Sequence, residues 1–131
     1  MRTPLVSVII PTYNRSDCLP RAIKSVLNQT YSTIELIIVD DASTDDTRNV
    51  VESIRDTRLR FIQCKKTQGA AAARNVGIKA ALGDFIAFHD SDDEWLPEKL
   101  KRQMEFFDKN DTNKVGLVPV SYTHLTLPTK R

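Results

Sequence analysis

Short apolar runs that alternate with segments of helical period narrow the possible folds of this chain more than any other feature. Val6 to Ile10, Glu35 to Val39, Leu59 to Cys64 and Asp84 to His89 are too short for helices and rich in branched or aromatic residues, and read as strands. Pro11 stops the first of them. Between them lie helical stripes. Leu19, Ala22, Ile23, Val26 and Leu27 make one, with Ser16 or Asp17 placed to cap it. Val50, Val51 and Ile54 make a second, after the acid-rich start Ser43-Thr44-Asp45-Asp46. An Ala-rich stretch from Gly69 to Leu82 is a third, closed by Gly83, and Pro97 opens a fourth that runs to about Lys109. Strands that are apolar along their whole length are covered on both faces, and strands that alternate with helices pair in parallel. The pattern predicts an α/β fold with a parallel sheet between two helical layers.

A length of 131 residues suits one domain with one core, and 40% hydrophobic with 27% charged residues is ordinary globular composition. A formal net charge of +2 gives no argument for nucleic acid, and Lys65-Lys66 is a pair in a solvated loop rather than a basic run. Cys18 and Cys64 have neither metal spacing nor a Cys-x-x-Cys pattern, which favours reduced thiols in a cytoplasmic setting. The apolar segment after Met1-Arg2-Thr3-Pro4 is too short for a signal-peptide core, and no run in this chain reaches the length of a membrane span.

In open parallel sheets, ligands bind beyond the carboxyl ends of the strands. Polar clusters fall at that edge: Tyr13-Asn14-Arg15 after the first strand, Asp40-Asp41 after the second, and Asp90-Ser91-Asp92-Asp93 after the fourth. Three carboxylates within four positions repel one another unless a cation or hydrogen-bond donors compensate, and hard oxygen ligands suit Mg²⁺ or Mn²⁺. A helix cap ahead of Pro97 is the plainer alternative, but a cap needs only one acid. Asp40-Asp41 can accept hydrogen bonds from a ribose or base, or can simply form a turn. Tyr13 offers a flat face for stacking, or for packing. Arg74, alone among small residues in Gly69-Ala70-Ala71-Ala72-Ala73-Arg74-Asn75, suits a phosphate, or faces solvent. His89 is a ligand, an orienting group or a packed strand end; Trp95 covers the start of the following helix. No Gly-x-Gly-x-x-Gly and no P-loop is present, which counts against a dinucleotide oxidoreductase and a P-loop NTPase.

Taken together and in order, these segments resemble family 2 glycosyltransferases. Val6-Ser7-Val8-Ile9-Ile10-Pro11-Thr12-Tyr13-Asn14-Arg15 is similar to the family's opening, and Ser25-Val26-Leu27-Asn28-Gln29-Thr30-Tyr31 to the end of its first helix. Glu35 to Asp45, Gly69 to Gly77, and Phe88-His89-Asp90-Ser91-Asp92-Asp93 with Trp95-Leu96-Pro97 resemble its second strand and turn, its "ARN-x-G" helix and its DxD segment. The resemblance covers roughly residues 5–118. It implies a GT-A (Rossmann-like) mostly parallel sheet with helices on both faces, truncated here, and a nucleotide-diphosphate sugar, by default a UDP-sugar, as donor. By the same resemblance Pro11, Thr12 and Tyr13 line the base pocket, Asp41 faces the base with Asp40 nearby, and Arg74 sits near base and diphosphate. Asp90 approaches the ribose, Ser91 belongs to the nucleotide-sugar-binding set, and Asp92, assisted by Asp93, meets Mn²⁺ or Mg²⁺ and the diphosphate. The implied reaction inverts the anomeric centre of the sugar as it passes to an acceptor saccharide or lipid-linked saccharide.

The sequence departs from the family in its last part. The family's general-base carboxylate comes from a later segment, so the expectation is a donor-binding part, residues 1–118, that transfers poorly or serves only as a non-catalytic binding module. Residues 119–131, with His124 and Leu127-Pro128-Thr129-Lys130-Arg131, match nothing expected of the family and read as a non-native or disordered tail. A full-length protein would then be cytoplasmic, or peripheral to the inner face of the membrane. Acids at strand ends also suit a receiver-like phosphotransfer domain, although Arg74-Asn75 and the Pro-Thr-Tyr-Asn opening give that alternative no support.

Overall fold

The computed structural model describes residues 3–109 and 129–130. The order of elements is β1 (Val6–Thr12), α1 (Leu19–Leu27), β2 (Ile34–Asp40), α2 (Thr47–Glu52), β3 (Leu59–Gln63), α3 (Ala70–Ala80), β4 (Phe85–Phe88), α4 (Lys99–Lys109) and β5 (Thr129–Lys130). The strands lie in the order β3-β2-β1-β4-β5. β1, β2, β3 and β4 are parallel, and the short β5 is antiparallel to β4, with Phe85 opposite Lys130 and Ile86 opposite Thr129. The sequence offered no partner strand for the tail; these two residues find one on the edge of β4. The other expectations for the tail, His124 among them, lie outside the described residues.

Both faces of the sheet are covered, as the unbroken apolar runs predict. Val6, Val8 and Ile10 of β1 and Leu36 and Ile38 of β2 pack with Leu19, Ala22, Ile23 and Val26 of α1, Val51 of α2 and Leu100 and Met104 of α4. On the opposite face Ile9, Ile37, Val39 and Ile86 pack against Ala73 of α3. α3 comes so close that a Cβ on Gly77 would stand 2.6 Å from Ile9 Cγ2. Small residues in this helix thus serve its seat on β1.

Several boundaries move from their expected places for physical reasons. β1 passes through Pro11 to Thr12, with Pro11 opposite Val39. Ile9 O accepts from His89 N on the β4 flank, and Thr12 O accepts from Asp41 N on the β2 flank. Alternation therefore turns the Pro11 nitrogen towards β4, beyond the last β1–β4 pair, Ile9 with Phe88, where no ladder bond is required. α1 begins after Cys18 with no side-chain cap, so neither Ser16 nor Asp17 caps it. α4 begins at Lys99 rather than Pro97, because Leu96 and Pro97 carbonyls accept from Gln29 Nε2 and Thr30 N. Gly83 is no left-handed cap. α3 ends at an extended Ala81, and Gly83 is small because a Cβ there would lie 2.5 Å from Ser7 Oγ.

At the amino edge of the sheet, Glu35 sits inside an apolar strand. Its carboxylate accepts from Ser7 Oγ at 2.5 Å, Leu82 N at 2.5 Å and Arg60 Nη1 at 2.8 Å. Burial pushes its pKa up, but these hydrogen bonds and the Arg60 charge outweigh burial and hold it below its ordinary value.

Candidate functional site

The chain returns from β3, at one side of the sheet, to β4, on the other side of β1, through α3 on the second face. The switch in winding direction therefore falls between β1 and β4, where doubly wound sheets open a crevice. β4 stops at Phe88 while β1 continues through Ile10, Pro11 and Thr12, so the walls of the opening are Pro11-Thr12 and His89-Asp90. The predicted residues do gather along this carboxyl edge.

On the β1 side, Thr12 is buried, and its Oγ1 has no hydrogen-bond partner among the described residues. A buried hydroxyl without a partner costs about 1–3 kcal/mol, so an unmatched one at a ligand-binding edge calls for a polar partner. Tyr13, at the end of the same strand, is 47% exposed. Asn14 adopts φ 53°, a left-handed conformation that Asn tolerates better than most residues. Its Oδ1 accepts from Thr44 N at 2.8 Å and Asp45 N at 3.3 Å, while its own N–H donates to Ser43 Oγ at 2.8 Å. Asn14 thereby ties the loop after β1 to the loop after β2. The available sequence signal was an Asn in the loop two residues beyond the strand.

The two acids after β2 do different things. Asp40 is fully buried, and its carboxylate accepts from Ser43 N, Ser43 Oγ and Gln63 Nε2. That is the turn-forming alternative: Asp40 builds the rim. Asp41 accepts from Gln68 N and Gly69 N, each at 2.9 Å, and so latches the segment that leads into α3. Gly69, at φ 101°, supplies the sharp entry to that helix.

The latch sets the first turns of α3 beside the end of β4. Arg74 Nη2 lies 4.0 Å from Asp90 Oδ1, both side chains being well exposed. Asp90 to Asp93 form a turn closed by Asp93 N to Asp90 O at 3.1 Å. Ser91 is buried within it, and Asp92 is exposed. Asp93 Oδ1 accepts from Glu94 N at 2.8 Å. Burial pushes the Cys18 thiol up, and the charges of Asp17 and Asp92 push it further against Arg15.

Behind the turn, His89 is packed rather than presented as a ligand. Its ring lies 4.4 Å from Trp95, its Nδ1 is 2.6 Å from Asp90 O and its Nε2 is 3.3 Å from Ser25 Oγ. A carbonyl only accepts, so Nδ1 carries the proton and Nε2 is left as an acceptor. Burial, partly offset by Asp90 and Asp93, pushes the His89 pKa down to about 4 and keeps the ring neutral. Lys99 lies 3.7 Å over Trp95, and burial lowers its pKa to about 8 against the pull of Asp93.

The donor set of this edge fits a hard divalent cation. Asp90 and Asp92 present exposed carboxylate oxygens from one turn. Among the described residues, no three His, Cys, Asp or Glu side chains come together as a cage. One or two carboxylates completed by phosphate oxygens and water are what Mg²⁺ ordinarily accepts at phosphate sites.

A family model for Glycosyl transferase family 2 matches residues 7–131. The chain belongs to this family. It is 46% identical over 111 residues to the Escherichia coli protein WfaP, named a UDP-Glc:alpha-D-GlcNAc-diphosphoundecaprenol beta-1,3-glucosyltransferase, covering 85% of this chain and 43% of that one. S. aureus TarS 1-349 in complex with UDP-GlcNAc superposes with a TM-score of 0.75 at 37% identity, over 79% of this chain and 31% of that one. A Pyrobaculum calidifontis mannosyltransferase, PcManGT, in complex with GDP-Man and Mn²⁺, gives a TM-score of 0.73 at 28% identity, over 81% and 33%. The family 2 glycosyltransferase chain thus has a GT-A fold and spans less than half the length of these relatives. Membership in the family displaces the phosphotransfer alternative. No helix among the described residues is long and apolar enough to cross a membrane.

Proposed function

We propose that this chain is the donor-binding part of an inverting, metal-assisted glycosyltransferase that takes a UDP-sugar. The observation that carries the reading is convergence at one crevice: Arg74 and Asp90 meet at 4.0 Å on the edge where Thr12 buries a hydroxyl with no partner among the described residues. UDP is favoured over other nucleotides because the E. coli relative is named for UDP-Glc and the S. aureus neighbour is in complex with UDP-GlcNAc.

In this reading Tyr13 stacks on the base, beside Pro11, and Thr12 and Asp41 supply its polar contacts. Asp40 acts from behind by holding Ser43 and the rim. Arg74 faces the diphosphate, a task suited to a planar guanidinium. Asp90 and Ser91 serve the ribose, and Asp92, with Asp93, holds Mn²⁺ or Mg²⁺. When bound, the ion neutralises charge on the departing diphosphate. An acceptor hydroxyl attacks the anomeric carbon from the side opposite the leaving group, and a carboxylate takes its proton. That carboxylate is assigned to none of the described residues, so donor binding is the activity proposed for this chain by itself. The acceptor is a saccharide or lipid-linked saccharide of the cell envelope, supported by the name of the E. coli relative; transfer would then take place in the cytoplasm or at the inner face of the membrane.

Calorimetric titration with UDP, with and without Mn²⁺, tests the proposal. Binding should tighten with the metal, and Asp92→Ala should remove that dependence without unfolding an exposed turn. Failure of the folded protein to bind any nucleoside diphosphate in the presence of Mn²⁺ would overturn it.

A further inference from the structure

The acidic turn is held from beneath by one side of α1. Arg21 and Ser25 stand one turn apart on that helix, and Gln29 follows just past its end. Arg21 pairs with Glu94 at 3.5 Å. Ser25 Oγ accepts from Trp95 N at 3.1 Å, lies 3.3 Å from His89 Nε2 and donates to Ala22 O at 2.8 Å. With His89 protonated on Nδ1, the single Ser25 hydrogen is shared between Ala22 O and Nε2. Gln29, itself buried, donates from Nε2 to Ser25 O at 3.0 Å and Leu96 O at 2.7 Å and accepts from Leu100 N at 3.0 Å. Leu100 lies in the first turn of α4, where backbone N–H groups have no helical partner, so Gln29 caps a neighbouring helix.

These bonds fall on both flanks of the carboxylates. His89 precedes Asp90; Trp95 and Leu96 follow Asp93 and Glu94. The turn between is closed by a single Asp93-to-Asp90 backbone bond. Its ends are fixed in a buried, hydrogen-bonded mount, and only the carboxylates project.

We propose that Ser25 and Gln29 are positioning residues for the acidic turn: they set where Asp92 and Asp93 stand, and through them the affinity for the divalent cation rather than for the nucleobase. The proposal rests on the reading of residues 90–93 as the cation and diphosphate site. Partners behind metal-binding side chains typically change metal affinity by about 10–100-fold when removed. The base-binding groups sit elsewhere, on the loops after β1 and β2, tied by Asn14 and Asp40.

The experiment compares the whole chain with Ser25→Ala, Ser25→Thr and Gln29→Glu. Apparent Mn²⁺ affinity at saturating UDP is read from the electron paramagnetic resonance of free Mn²⁺. UDP affinity without metal is read by calorimetry, and exchange of the Asp93 amide by hydrogen-exchange NMR on metal-free protein. Ser25→Ala should weaken Mn²⁺ binding about tenfold, speed Asp93 exchange and lower metal-free UDP affinity by much less. Ser25→Thr keeps the hydroxyl and should restore Mn²⁺ affinity. Gln29→Glu keeps the acceptor for Leu100 N but loses the donor to Leu96 O, and should weaken Mn²⁺ binding if Ser25→Ala does not fold. An unchanged Mn²⁺ constant in both variants, or equal losses of metal-free UDP affinity and thermal stability, would overturn the positioning role alone. Absence of Mn²⁺-dependent UDP binding in the unsubstituted chain would overturn the donor-site reading as well, and so separates the two failures.

Discussion

A buried hydroxyl without a partner is a burden on the free protein and an asset only when a ligand meets it, and among the described residues Thr12 has none. Thr12→Val keeps the branched shape and removes the unmet oxygen. It should raise the stability of the ligand-free chain by about 1 kcal/mol, the lower end of the desolvation cost of such a group. It should also weaken UDP binding, because the polar contact disappears with the oxygen. Urea unfolding and UDP calorimetry on the same preparation check both signs. A variant that is destabilised, or that binds UDP as well as Thr12 does, would show that the hydroxyl serves the fold instead. Asp40 is the counter-example at this scale. Placed beside Asp41 by sequence, it is buried under hydrogen bonds from Ser43 and Gln63, and its chemistry is that of a turn.

Among elements, strands were more legible than helix ends. Runs such as Leu36 to Val39 are buried at every position, so composition alone marks them. The helix ends depend on residues distant in sequence: Gln29 for Leu100 N, Leu96 and Pro97 carbonyls held by Gln29 and Thr30, Ser16 N on Asp45 rather than Ser16 as a cap. No local signal carries such contacts. The edge that carries the candidate site was legible from residue types at strand ends, but the contacts behind it, those of Ser25, Gln29 and the Asn14 tie, were not. Glu35 was missed although an acid within an apolar run signals a buried, partnered charge. Its network joins β1, β2, β3 and the segment after α3, and predicts how the sheet responds to acid. A carboxyl whose folded pKa is depressed contributes stability above its unfolded value, and that contribution is lost as pH falls through the folded value. Asp45, lowered by Thr47 and Ser16 against burial, and Asp56, lowered by Arg58, act in the same window. Urea midpoints should therefore fall as pH drops through and below the ordinary carboxylate range. Glu35→Gln should make that fall shallower without abolishing it; an unchanged slope would mean that the Glu35 network adds nothing.

For the whole molecule, the decisive fact is the strand order β3-β2-β1-β4, which brings loops far apart in sequence to one crevice. Arg74 reaches Asp90 only because α3 crosses the second face of the sheet, and Asp41 latches the entry to that helix. A ligand that touches the loops after β1, β2 and β4 together would hold these elements against one another, and binding to the folded state alone stabilises it by mass action. At a concentration about a hundred times its dissociation constant, a ligand adds about 2.7 kcal/mol. UDP with Mn²⁺ should thus raise the melting midpoint of this chain by several degrees, UDP alone by less, and Mn²⁺ alone scarcely at all. The order matters more than the size. A cation site completed by phosphate oxygens predicts synergy between metal and nucleotide, whereas a preformed cage would be stabilised by Mn²⁺ alone. Differential scanning fluorimetry of the chain under these conditions distinguishes the two, and equal shifts with Mn²⁺ alone and with UDP plus Mn²⁺ would argue for the cage. With Asp92→Ala the synergy should vanish while the smaller shift with UDP alone persists, because the proposed base contacts of Thr12, Tyr13 and Asp41 lie outside the acidic turn.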